Sequence, residues 1–306
     1  MDWGLFLVQL LNGLQLGILL FLVASGLTLV FGIMDFLNLA HGSLYMLGAF
    51  LCATFTALTG SFILGVFLAL PAVAVIGVAM EVIVARRLYA RGHLDQVLAT
   101  FGLILCFDTL AQMIWGASGR SVLLPGWLRG QLFFGDFVVP SYRVLIIIVG
   151  LAVAALLYWI VNNTKLGMLI RAGASNRTMV GALGIDIRTL FTLVFAIGAV
   201  FAGLAGMMVA PIAEASIGMG NTIIILAFVV IVIGGLGSVK GAFVAAMLVG
   251  LIDTMGRSFL DDFFKLFMTP RNAETSAPAI AAMLIYILMA VILTFRPQGL
   301  FPPRLR

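Results

Sequence analysis

The stretch GLFLVQLLNGLQLGILLFLVASGLTLVFGI, residues 4–33, decides the fold, because it carries no charged side chain and is long enough to cross a bilayer as a helix. About 20 apolar residues at ~1.5 Å rise span the ~30 Å hydrocarbon layer, where only helices or closed barrels satisfy the backbone. Further apolar runs occur at roughly 42–60, 62–85, 95–116, 143–162, 189–212, 222–236, 241–256 and 277–295, far too long for barrel strands. The seventh and eighth are short for crossings. The reading is an all-α, polytopic transmembrane helix bundle of about nine apolar segments with two glycine-interrupted regions. It forms one domain over residues 1–306, with a loop at 163–188 inside it.

Composition agrees. Hydrophobic residues make up 63% of the 306 and charged residues 9%, against roughly 45–50% and about 25% in soluble domains. So few charges cannot cover a water-facing surface. Cys52 and Cys106 lie in apolar stretches and read as small buried hydrophobes. The net charge of +5 comes without a basic run, so nucleic acid is not an expected partner.

The cations instead set orientation. Arg86, Arg87 and Arg91 follow the third segment, Lys165, Arg171, Arg177 and Arg188 lie between the fifth and sixth, Lys240 between the seventh and eighth, and Arg296, Arg304 and Arg306 after the last. Alternating crossings put all of these on one side. Arg120, Arg129, Arg143, Arg257, Lys265 and Arg271 fall on the other, balanced by Asp2, Asp136, Glu214, Asp261, Asp262 and Glu274. The positive-inside rule then places the amino terminus outside and the carboxyl terminus in the cytoplasm. The 117–142 and 257–276 connections are the longest external loops, too short for a catalytic domain.

Two breaks interrupt the apolar pattern. Asp35, Asn38, His41 and Gly42 break it at Phe36-Leu37-Asn38-Leu39-Ala40-His41-Gly42-Ser43, Asp35 directly preceding that stretch, and the second break is Gly234-Gly235-Leu236-Gly237-Ser238-Val239-Lys240-Gly241. Non-helical backbone at membrane depth is tolerated only where it is buried in protein or lines a wet cavity, so paired breaks point to a transport pathway. The other reading is two ordinary turns between hairpin helices. In the first case the breaks approach each other as an inner gate near the cytoplasmic end.

Other polar residues are read the same way. Gln9, Asn12 and Gln15 recur along one helix stripe, facing either a polar path or neighbouring helices, and Gly13 and Gly17 beside them favour close packing. Asp108 and Asp253 are the acids placed within the bilayer thickness; either contacts substrate or sits paired near the outer interface. Glu81 reads as a structural partner of Arg86 or Arg87. Asn176 can cap a short helix through Leu183 with Gly184 as its stop, the one plausible cytoplasmic helix and a docking knob for a soluble partner. None of the three lysines follows a glycine, so a G-x-x-x-x-G-K-[ST] phosphate loop is absent, as are H-E-x-x-H and G-x-S-x-G. The expectation is no catalytic set, no metal and no cofactor in this chain. If ATP drives transport, another chain binds it.

Here the residues become recognisable. Asn38-Leu39-Ala40-His41-Gly42 with Met46-Leu47-Gly48-Ala49-Phe50 resembles the N-F-A-H-G-x-x-x-M-x-G-A-Y signature of the branched-chain amino acid permeases of ABC importers. Leu98-Ala99-Thr100-Phe101-Gly102-Leu103 is similar to their fourth-helix pattern. Thr164-Lys165-Leu166-Gly167, Arg171-Ala172 and Leu183-Gly184-Ile185 look like their coupling segment, and Gly234 to Ser238 and Arg296 to Phe301 follow in the expected order. The resemblance implies a multi-pass permease of the bacterial inner membrane. It would pair with a second, related permease and with two ATP-binding subunits carrying ATP and Mg, and receive solute from an external binding protein. The candidate path or gate residues are Gln15, Asn38, His41, Gly42, Thr100, Gly234, Gly235, Gly237 and Ser238, the candidate ATPase-coupling residues are Arg171, Arg177 and Gly184, and the candidate substrate contact is Asp108. Urea, amides and aromatic acids are alternative solutes within the same family; an ion-coupled carrier is the alternative outside it. Two departures stand out: no acid occurs from Lys165 through Gly184, and Lys240 stands where proline is frequent.

Overall fold

The structure, a computed structural model, describes residues 3–134 and 137–301. Asp2, Asp136, Arg304 and Arg306 lie outside them. Long apolar runs without internal breakers give α1 (Trp3–Met34), α2 (His41–Thr59) and α3 (Phe62–Met80), which continues through a π-helical turn at Glu81–Ala85 into α4 (Arg86–Leu88). Then follow α5 (His93–Trp115), α6 (Ser141–Asn163), α7 (Lys165–Ser175), α8 (Arg177–Ala182), α9 (Ile187–Ala213), α10 (Met219–Gly234), α11 (Val239–Phe264) and α12 (Pro270–Phe295). Among the described residues eight helices, counting α3 through α4 as one, are long and apolar enough to cross a membrane, and α10 is an apolar helix of 16 residues. A short antiparallel hairpin, β1 (Gln131–Phe134) with β2 (Phe137–Pro140), sits in the connection from α5 to α6.

One boundary needs correction. The apolar run ending near 256 is not a short segment, since α11 extends for 26 residues. Charges end the run without ending the helix: Asp253 and Arg257 pair one turn apart at 2.9 Å, the spacing that supports a helix. The 257–276 stretch is therefore mostly helix, with only 265–269 between α11 and α12.

The neighbours of each helix repeat in pairs. Helix α1 packs along α11 as α9 packs along α3; α2 lies on α9 as α10 lies on α1; α5 flanks α2 as α12 flanks α10. Helix α1 ends, and α9 begins, at the end of the bundle carrying Arg86, Arg87, Arg91 and the α7–α8 segment, called here the basic end. The two halves are therefore inverted copies in the membrane, an arrangement that places their breaks at a shared midplane. Among the described residues, Asp35 (φ 52°) and Glu214 (φ 56°) are the two non-glycine residues with positive φ, and each directly follows α1 or α9.

Depth can be measured along the helices. His41 Nε2 lies 3.1 Å from the Val23 carbonyl, and residues 23 to 34 at ~1.5 Å each put the start of α2 roughly 16 Å in from the basic end. The first break therefore climbs to about half of the ~30 Å hydrocarbon thickness and is no ordinary turn. Its counterpart is the 214–218 link, because α2 and α10 meet at their starts: a Cβ on Gly42 would lie 2.2 Å from the Gly220 carbonyl oxygen, and one on Gly220 would lie 2.2 Å from that of Gly42. The Gly234 to Gly241 break is a tight turn at the basic end. There Gly235 (φ 106°) and Gly237 (φ 82°) take conformations open to glycine, Ser238 Oγ caps α11 by accepting from Gly241 N at 3.1 Å, and Leu300 N and Phe301 N donate to Ile233 O and Gly234 O. The two glycine-bearing breaks do not face each other as expected, since Gly42 meets Gly220 while Gly237 meets Gly32.

The glycines beside the α1 stripe serve packing. A Cβ on Gly17 would sit 2.9 Å from the Ala246 carbonyl, and one on Gly250 would sit 2.4 Å from Gly17 N, so α1 and α11 touch backbone to backbone. Asn12 donates to Gln9 Oε1 at 3.0 Å and accepts from Arg143 on α6. Cys52 is buried as expected, but Cys106 is exposed on α5. An apolar stretch in a membrane chain does not separate a core-facing from a lipid-facing position.

Candidate functional site

Three parts of the molecule gather the residues singled out above. The first is the junction of α2 and α10. Helix α5 pins the climbing link before α2: Leu37 N donates to Gln96 Oε1 at 3.1 Å and Leu39 N to Thr100 Oγ1 at 3.3 Å. These acceptors lie one turn apart on α5, so they hold an extended segment whose N–H groups would otherwise be unsatisfied. Thr100 thus positions the link. Gln96, which the sequence reading missed, also donates to the Leu88 and Arg91 carbonyls at 3.4 and 3.3 Å, tying the α4–α5 corner to the same point. Its i−4 spacing from Thr100 on one helix face is the signal that could have found it.

Asn38 is fully buried, and neither its amide nitrogen nor its oxygen has a partner among the described residues. Such an amide is costly in a dry interior unless something hydrogen-bonds it. His41 binds the Val23 carbonyl, and Gly42 lets α10 approach. The starts of two helices meet here, and helix starts bring unsatisfied N–H groups and positive dipole ends. Asp108 stands at the far side of α10's first turn, accepting from Asn221 Nδ2 at 3.3 Å. Gln15 is buried elsewhere on α1, with its Oε1 unpartnered among the described residues. Asp253 is held by Arg257.

The second part is the segment between α6 and α9, where the structure has two helices instead of the one expected. Thr164 caps α7, accepting from Gly167 N at 3.1 Å, a T-x-x start that the sequence reading passed over. Asn176 caps α8 as expected, accepting from Met179 N at 3.0 Å, and Gly184 (φ 83°) follows its end. Asp186 caps α9 through Arg188 N at 2.9 Å. The Thr189 hydroxyl and then the Arg188 amide hold its carboxyl below the ordinary aspartate range. Gly167 lets α7 tuck beneath α6, since a Cβ there would lie 2.2 Å from the Val161 carbonyl, which also accepts from Arg171. Gly167, Ile170, Gly173 and Val180 face inward, while Met168, Arg177, Met179 and Leu183 are exposed.

Beside this segment Glu81 is fully buried in the π-helical turn. It accepts from Arg86 Nη2 at 2.8 Å, from Tyr89 at 3.0 Å and from Thr192 of α9 at 2.8 Å. Arg86 is the partner of the two arginines considered; Thr192 and Tyr89 were not foreseen. Four side chains therefore lock the base of α9 to the end of α3.

The third part is a cleft of about 820 Å³ at the basic end between α1, α6, α7 and α11, lined among others by Arg171, Gly237 and Ser238. Among the described residues no group of three or more His, Cys, Asp or Glu could hold a metal ion.

An inverted pair of helices, α2 and α10, whose starts meet inside an apolar helix bundle, with a helical segment across one end, fits a polytopic membrane permease. The chain belongs to the branched-chain amino acid transport system permease component family, which matches residues 9–293. It is thus a transport component and not an enzyme. It is 28% identical over 308 residues to the high-affinity branched-chain amino acid transport system permease protein BraD of Pseudomonas aeruginosa, covering 96% of this chain and 95% of that one. Similarity to LivH of Escherichia coli K12 is 27% over 280 residues, 85% of this chain and 89% of that protein. LivM of the same organism is 26% identical over 307 residues, 92% of this chain and 67% of that protein. Among solved structures, none matches.

Proposed function

We propose that this chain is the membrane-spanning subunit of an ABC importer that moves branched-chain, hydrophobic amino acids across the bacterial inner membrane. The observation that carries the reading is its end-to-end similarity to permeases named for branched-chain amino acid transport. ATP and Mg are held by two partner ATP-binding subunits, which dock on α7–α8, with the basic end cytoplasmic and the amino terminus outside. The exposed Met168, Met179 and Leu183 around Arg177 support this surface, since apolar side chains at a water-facing end favour a protein partner. A second, related permease completes the membrane part, in keeping with similarity to both LivH and LivM, and an external binding protein delivers the solute.

The route passes the α2–α10 junction, where Asn38 offers an unpartnered amide and Gly42 sets the spacing. Rocking of one inverted half against the other opens it. The test is leucine uptake into proteoliposomes holding the reconstituted complex. Uptake should require ATP on the side of α7–α8, and Arg177→Ala with Met179→Ala should reduce recovery of the ATP-binding subunits while leaving membrane insertion intact. Uptake by this chain alone, driven by an ion gradient, would overturn the proposal.

A further inference from the structure

The geometry points to a binding site for an anionic phospholipid in the cleft between α1, α6, α7 and α11. The inference stands independently of the transport reading. The cleft is amphipathic along its depth. Lys240 and Arg171 stand at its mouth, whereas Phe21, Leu29, Ala154 and Phe243 line its interior. Two helices measure that depth separately: Asn162 to Ala154 on α6 gives ~12 Å, and Gly32 to Phe21 on α1 gives ~16 Å. This matches about one leaflet of the ~30 Å hydrocarbon layer.

The mouth is positive without a counter-charge. No acidic side chain lines the cleft, and among the described residues neither Lys240 nor Arg171 enters a salt bridge. Lys240 Nζ lies over the Phe301 ring, 5.4 Å from its centroid, which leaves its N–H groups able to donate. Arg171 uses one N–H on the Val161 carbonyl and keeps the others of its five donors. Between mouth and floor lies Thr28, 1% exposed, whose hydroxyl has no partner among the described residues. A ligand that satisfies all three levels has an anionic head, an acceptor just below it and an apolar tail. A phospholipid supplies these as phosphate, ester carbonyl and acyl chain, and basic pockets between helices at a membrane surface bind such headgroups. The bound lipid joins α7 to α1 and α11.

The test uses the full chain in detergent, titrated with phosphatidylglycerol and followed by native mass spectrometry. Phosphatidylcholine of the same chains and water-soluble glycerol phosphate serve as comparison probes. Phosphatidylglycerol should be retained in preference to both. Lys240→Gln should weaken its retention about five-fold, the order expected for one cation beside an anionic headgroup. Asn162→Asp, an exposed change at the mouth, should weaken it similarly, and Ala154→Phe should remove it by filling the interior. Equal retention of phosphatidylcholine would overturn the proposal, as would binding of glycerol phosphate as tight as that of the lipid, which would make this a free-phosphate site. Unchanged phosphatidylglycerol retention in Lys240→Gln and Asn162→Asp would overturn it as well.

Discussion

Replacing Gly42 by alanine tests whether the meeting of α2 and α10 is a fixed contact or a loose approach. The new methyl carbon would stand 2.2 Å from the Gly220 carbonyl oxygen and 3.0 Å from Ile224 Cβ. An ordinary contact needs about 3.4 Å, so the two helix starts must part by roughly 1 Å. No rotamer can relieve the clash, because the nearest atom is backbone. Overpacking of this kind costs about 1–3 kcal/mol, and an unyielding neighbour puts this site near ~3 kcal/mol. Gly220→Ala places its methyl 2.2 Å from the Gly42 carbonyl oxygen and should cost the same. Once the first methyl has separated the helices, the second meets less resistance, so the double variant should fall short of the sum by about 1–2 kcal/mol. Gly102→Ala is the control: nothing lies within 4 Å of its added Cβ, and inside a helix the change should stabilise by up to ~1 kcal/mol. Unfolding in mixed detergent micelles gives the energies, and leucine uptake by the reconstituted complex reports function. Gly42→Ala as stable as Gly102→Ala, or strictly additive effects at 42 and 220, would refute the contact.

Arg86→Gln leaves the Glu81 carboxylate buried without its cation, so it should destabilise more than the double Glu81→Gln/Arg86→Gln variant, a ranking that unfolding in the same micelles reads directly. Asn176→Ala removes the cap of α8 and should cost about 1 kcal/mol of local stability, seen as faster amide exchange across 177–182. Because Thr189 and Arg188 lower the folded-state pKa of Asp186, its contribution is present above the unfolded value of ~3.9 and is lost as pH falls further through the folded one. Asp186→Asn should flatten that acid-side loss of stability.

Hydropathy carried most of the architecture, because a lipid solvent forces backbone groups to pair within each helix and leaves long apolar runs as the visible trace. The Asn176 cap and the Gly184 stop were legible because they act on their own helix within a few residues, although the equally local Thr164 cap was passed over. What failed was partner choice. Glycine density marked Gly234 to Gly241 as strongly as it marked Gly42, yet the first is a turn that needs positive φ, while the true counterpart of the first break, Glu214 to Gly218, contains a single glycine. Its strain sits on Glu214, a residue type that gives no such warning. Gln96 and Thr192 were hidden because their partners lie 59 and 111 positions away. Among candidate route residues, Thr100 turned out to hold backbone and Gln15 to lie apart on α1. Asn38 and Gly42 stand together at the junction.

Helix α1 leaves the ribosome before the helices that surround it and is among the last to find its neighbours. Its buried face waits for α9 and α11, and Asn12 waits for Arg143. Until those arrive, the face that they cover, Gln15 included, must sit in lipid or against the insertion machinery, a state that favours delayed release or a temporary companion. Synthesis halted after α6 should therefore yield a chain whose α1 remains extractable or crosslinkable to that machinery. Completion of α11 should mark the moment at which it becomes sealed.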